Sequence, residues 1–137
     1  MTTELLLPTG TETWEEVEAS ITASLSDLLA GTVDAVTISV PQLGKTIDAR
    51  RAENGELQLI AAGNDSLQGA NRLTVRDERA VIAVGFSVAS ESWGTFQWDW
   101  SAPVDARGVA SGILRTMRDI YKTSPQEVEV AASILAG

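Results

Sequence analysis

The sequence predicts an α+β fold: an antiparallel sheet of about four to five strands with helices on one face, in the order α-βββ-α-β-α-α. Three observations carry this. Apolar residues alternate with polar ones in several short segments, the period of a half-buried strand. Three of those segments follow one another with only tight turns between them, which makes an antiparallel meander. Elsewhere apolar residues recur every three or four positions behind N-cap signals, the period of a helix packed on one side. Strands in runs, rather than in strict alternation with helices, separate this class from parallel α/β folds.

Residues 1–12 read as a flexible N-terminal arm, because Pro8 and Gly10 interrupt regular structure. Leu5, Leu6 and Leu7 give it an apolar end that docks on the body or on a second subunit. Residues 13–137 read as one domain, long enough to build a core without disulfides. Its first helix starts at Thr13-Trp14-Glu15-Glu16, a capping-box pattern, and carries Trp14, Val17, Ile21, Leu25, Leu28 and Leu29 in one stripe up to a stop at Gly31. Val36, Ile38 and Val40 alternate with Thr37 and Ser39 in the first strand. Pro41 to Gly44 turns the chain. Lys45 to Arg51 is the second strand, with Ile47 and Ala49 opposite in parity to Asp48 and Arg50. Asn54-Gly55 marks a hairpin, since both residue types tolerate positive φ. Leu57 to Ala62 is the third strand.

Residues 63–69 are polar and turn-rich. Thr74 then opens a second helix with Asp77 and Glu78 in its first turn and a stop at Gly85. The run Ala80, Val81, Ile82, Val84 also fits a strand, but the cap and the mixed charges favour helix. Residues 86–93 read as loop with some extended character. Thr95 to Trp100 is the fourth strand, with Phe96, Trp98 and Trp100 on one face. Pro103 and Asp105 start a third helix striped by Val109, Ile113, Leu114, Met117, Ile120 and Tyr121. Ser124-Pro125-Gln126-Glu127 is another capping box, and it predicts a short fourth helix carrying Val128, Ala131, Ile134 and Leu135.

Composition narrows function by exclusion. The 137 residues contain no His and no Cys, so there is no imidazole base, no thiolate and no nitrogen or sulfur metal ligand. No carboxylate pair is linked across a cleft, no calcium-loop spacing surrounds Asn64-Asp65, and the glycines form no phosphate-binding pattern. The chain is therefore read as non-enzymatic, with no catalytic residue, cofactor or metal. A net charge of -9 repels phosphate backbones and anionic lipids, which disfavours nucleic acid and membranes as partners. No apolar run approaches the roughly 20 residues that cross a bilayer, and the start lacks a basic signal region, so a cytoplasmic location is expected. The charge is uneven. Residues 1–44 hold seven acids and no base, then Lys45, Arg50 and Arg51 cluster.

The aromatic row is the most informative local feature. Three of the four Trp, namely Trp93, Trp98 and Trp100, fall within eight residues. Phe96, Trp98 and Trp100 read either as core beneath the third helix or as a stripe that takes another chain, since Trp is enriched where proteins bind. Trp93, on the other parity and beside Gly94, is the better placed for partial exposure. These tryptophans and Leu5, Leu6 and Leu7 are the candidate contact residues.

The arrangement resembles bacterial YbjN-like domains, which share the fold of type III secretion chaperones (the TY-Chap group). The resemblance runs over roughly residues 14–122. It rests on a Trp-led first helix at Trp14, the glycine-turned hairpin at Gly55-Glu56-Leu57, and Asn64-Asp65-Ser66-Leu67. Arg72-Leu73-Thr74 then opens a helix that stops at Val84-Gly85-Phe86. Last come the Trp-bearing strand and the amphipathic helix from Gly108 to Tyr121. Two positions depart from the family pattern: Phe86 stands where Trp is common, and Ala61-Ala62 where a Glu is common. The resemblance implies a protein-binding, chaperone-like or adaptor role, commonly as a homodimer, without catalytic residues. A stand-alone regulatory or stress-related domain without an extended client, and a small-molecule or metal-binding domain, are the alternatives.

Overall fold

The computed structural model describes residues 2–64, 67, 69–89 and 94–134. The described chain runs β1 (Thr2–Leu7), α1 (Trp14–Ala30), β2 (Ala35–Val40), β3 (Lys45–Arg51), β4 (Leu57–Ala62), α2 (Val75–Val84), β5 (Ser87–Val88), β6 (Thr95–Trp100), α3 (Ala106–Arg115) and β7 (Glu129–Ile134). The strands form one antiparallel sheet in the order β1-β7-β2-β3-β4-β6-β5. The α+β class with an antiparallel sheet is therefore as expected.

Pairing aligns the apolar residues of the strands on one face. Val36 stands opposite Ala49, Ala49 opposite Leu59, and Leu59 opposite Trp98. Val36, Ile38, Ala49, Leu59 and Phe96 on that face are all fully buried. α1 lies against it through Val17, Ile21, Leu25 and Leu28, and α3 through Val109 and Ile113. Each such Leu or Ile taken out of water contributes about 1.5–3 kcal/mol, so this single interface dominates folding. The other face bears half-buried Thr37, Asp48, Ile60 and Gln97, with Thr37 Oγ1 donating to Asp48 Oδ1 at 2.7 Å.

Local signals place most boundaries. Thr13 Oγ1 accepts the Glu16 N–H at 3.2 Å, and Glu16 answers by taking the Thr13 hydroxyl at 3.0 Å rather than its backbone N–H. α1 ends at Gly31, whose φ of 84° is open to glycine alone at little strain. At α2 both halves of the capping box form: Asp77 N–H to Thr74 Oγ1 at 3.1 Å, and Thr74 N–H to Asp77 Oδ2 at 3.2 Å. The β3–β4 hairpin turns through Asn54 at φ 61° and Gly55 at φ 75°. α3 continues into a π-helical turn, Thr116–Ile120, which carries the predicted stripe on to buried Met117 and Ile120.

Three expectations are corrected, the last being the strand number and element order. Among the described residues there is no fourth helix, and Leu135, expected in it, lies outside them. Ser124 N–H and Oγ do meet Glu127 Oε1, at 3.0 and 2.9 Å, but the cap opens only a 3-10 turn, Pro125–Glu127. The chain then extends into β7, and Val128 just before the strand, with Val130 and Ala132 within it, is buried in alternation. Residues 2–7 are not a loose arm. They form β1 beside β7, from Thr2 opposite Ile134 to Leu7 opposite Val130, and Pro8 and Gly10 only end the strand. With β1, β5 and β7 added, the sheet has seven strands rather than four to five. The described order becomes β-α-βββ-α-ββ-α-β.

Candidate functional site

Trp98 and Trp100 lie side by side on β6, half-buried, with ring centroids 4.7 Å apart. Phe86 meets Trp98 edge-on at 5.2 Å. The helices make room for the indole by being bare where it lies. A Cβ on Gly112 of α3 would stand 2.8 Å from the Trp98 ring, and one on Gly85 would overlap it. Phe96 is fully buried. The row thus divides: Phe96 is core, while Trp98 and Trp100 form its partly open end. Trp100 Nε1 is enclosed and has no hydrogen-bond partner among the described residues.

Strand pairing on the outer side of β6 ends beside these indoles. β5 stands opposite only Phe96 and Gln97 of β6. Ala89 N–H donates to Thr95 C=O at 2.9 Å, so Thr95 turns its backbone groups towards β5. Strand alternation turns Gln97 and Asp99 the same way. No described strand stands across from Asp99, whose N–H and C=O therefore point off the sheet. Gln97 Nε2 donates to both Asp99 carboxylate oxygens, at 3.0 and 3.2 Å, and holds that side chain on the open face.

The second edge is β1. A register shift between Leu5 and Leu7 turns Leu7 towards the core, while Leu5 and Leu6 remain 51% and 37% exposed; Ile134, opposite Thr2, is 43% exposed. In the sheet order β1 and β6 are five strand spacings apart, about 24 Å. The structure therefore does not gather the candidate residues at one place: Leu5, Leu6 and Leu7 sit at one edge, Trp98 and Trp100 near the other. Trp93 lies outside the described residues.

One buried polar pair escaped the sequence reading. Lys45 is 8% exposed, and its Nζ lies 5.0 Å from the centroid of the Tyr121 ring. Burial lowers the Lys45 pKa, with nearby Asp77 opposing, and burial pushes the Tyr121 phenol up. Tyr121 Oη is enclosed without a partner among the described residues. The signal was present, since Lys45 shares parity with Ile47 and Ala49. Among the described residues no group of three or more acidic side chains is placed to hold a metal ion, and no helix is long and apolar enough to cross a membrane.

A sheet with an uncovered strand edge next to apolar side chains has the geometry by which proteins take up extended segments of another chain. Residues 8–133 match the family model described as T3SS (YopN, CesT) and YbjN peptide-binding chaperone 3, and the chain belongs to that family. No curated protein and no solved structure matches it significantly.

Proposed function

We propose that this protein is a non-enzymatic, chaperone-like binding domain that takes an extended client segment by strand addition, works in the cytoplasm and acts as a homodimer. The observation that carries the reading is the outer edge of β6, where no strand among the described residues stands across from Asp99, beside half-buried Trp98 and Trp100. Main-chain hydrogen bonds supply affinity there, and alternate client side chains settle on the indoles. Family membership supports the peptide as ligand class. β1, with exposed Leu5 and Leu6 and inward Leu7, is a second contact edge on this reading. So is Trp93, which follows β5 in sequence.

Asp99→Pro tests the reading. Proline removes the outward N–H without breaking a bond to β4, because Asp99 faces away from that strand. On an array of unstructured peptides the wild type binds a subset with alternating apolar residues. The variant, with an unchanged far-ultraviolet circular dichroism spectrum, binds the same peptides at least about tenfold more weakly, the loss of roughly one or two hydrogen bonds. Equal binding by the two proteins, or none by the wild type, refutes strand addition at β6.

A further inference from the structure

Two surfaces of the helical layer complement each other. The first is a shallow groove of about 500 Å3 between α1 and α3, lined by Glu15, Glu18, Ala19, Thr22, Ala23 and Arg107. Its α1 wall follows the spacing i, i+3, i+4, i+7, i+8, so these residues share one helix face. Ala19 and Ala23 are small and exposed, which lets another helix approach closely, and two carboxylates stand beside them.

The second surface is the outer face of α2. Val75 is 64% exposed and Ile82 36%, two of the five large hydrophobics left open to water among the described residues. The other three are Leu5, Leu6 and Ile134 at the β1 edge. Residues 75, 79 and 82 follow i, i+4, i+7, so Arg79 stands between the two apolar side chains. Arg76 and Ala83 flank the stripe and are exposed, whereas Asp77 and Glu78 turn aside and are half-buried. This ridge is apolar and cationic. The groove is small-lined and carries two carboxylates, Glu15 and Glu18, against the one guanidinium of Arg107.

The two cannot meet within one molecule. α1 packs on α3 from one side, and α2 packs on the turn that follows α3 and on β5. We propose that the groove of one protomer receives the α2 ridge of a second copy, with the contact made twice about a two-fold axis. This names the surfaces of the homodimer proposed above and rests on that reading. Burial of Val75 and Ile82 against Ala19 and Ala23 supplies apolar contact. Arg76 and Arg79 lay their stems along the groove and bring their guanidinium groups to Glu15 and Glu18. A lipid surface is a poorer occupant, because a chain of net charge -9 is repelled by anionic headgroups.

Charge reversal on each side tests this by sedimentation velocity. The wild type sediments as a dimer. Glu15→Arg/Glu18→Arg weakens self-association on the order of 100-fold, and Arg76→Glu/Arg79→Glu does the same, because each places like charges face to face. Mixed in equal amounts, the two variants recover the dimer, since every α1–α2 contact in the mixed pair is again complementary or unaltered. Ala19→Trp, at an exposed position, fills the groove without touching a charge and also yields monomer. A dimeric wild type that tolerates all three variants, or a mixture that stays monomeric, overturns this interface and leaves the homodimer standing. A monomeric wild type overturns both.

Discussion

Single side chains carry costs that the fold does not need. Trp100 encloses an indole N–H without an acceptor among the described residues, which is worse than having no donor there. Trp100→Phe is therefore expected to change unfolding free energy by less than about 1 kcal/mol, the lost ring area offsetting the removed donor; urea denaturation reads this directly. Lys45 is a sharper case. Its folded pKa lies below the ordinary value of 10.5, so between the two values the unfolded chain binds more protons and stability rises with pH. Lys45→Met removes the buried ammonium. The variant is more stable than the wild type at neutral pH, and its advantage shrinks as the pH climbs towards 10.5. Tyr121 is common to both proteins, so its own titration cancels. An advantage independent of pH would show that desolvation of Lys45 is not the cause.

At the scale of elements, α3 and β6 depend on mutual absence: glycine on the helix where the indole lies on the strand. Gly112→Ala forces Trp98 out of its place and is expected to destabilise by about 1–3 kcal/mol, with a red-shifted tryptophan emission. Elements governed by neighbouring residues were legible in the sequence. α1, α2 and α3 have caps and stripes, and the β3–β4 hairpin has Asn54-Gly55. β7 was not, because a capping box speaks only for its first turn. Ser124 and Glu127 close that turn, and then Val128, Val130 and Ala132 obey a period of two set by pairing with β1 and β2 across the whole chain. β1 was missed for the same reason: Thr2–Leu7 has no local partner, and its strand exists because β7 lies next to it. At the site, the parity of Phe96, Trp98 and Trp100 was readable. The start of β5 only at Ser87, so that no described strand faces Asp99, depends on tertiary pairing and was not.

The whole molecule is one sheet covered on one side, with a short strand at one margin and a leucine-bearing strand at the other. Long open edges invite unwanted pairing, and proteins usually blunt them with charge or brevity. Here a net charge of -9 opposes indiscriminate clustering, while among the described residues no strand lies beyond either margin. The two described ion pairs, Arg51 with Asp34 at 3.1 Å and Arg118 with Asp119 at 2.9 Å, are exposed and contribute little to rigidity. Binding at the margin of β6 therefore requires no rearrangement of the core. It requires only that an incoming backbone take the outward groups of Asp99. Amide hydrogen exchange at Asp99, measured with and without a peptide selected on the array, addresses this most directly. The account predicts exchange slowed at least about tenfold when the peptide is bound; an Asp99 amide that exchanges equally fast under a saturating peptide would contradict it.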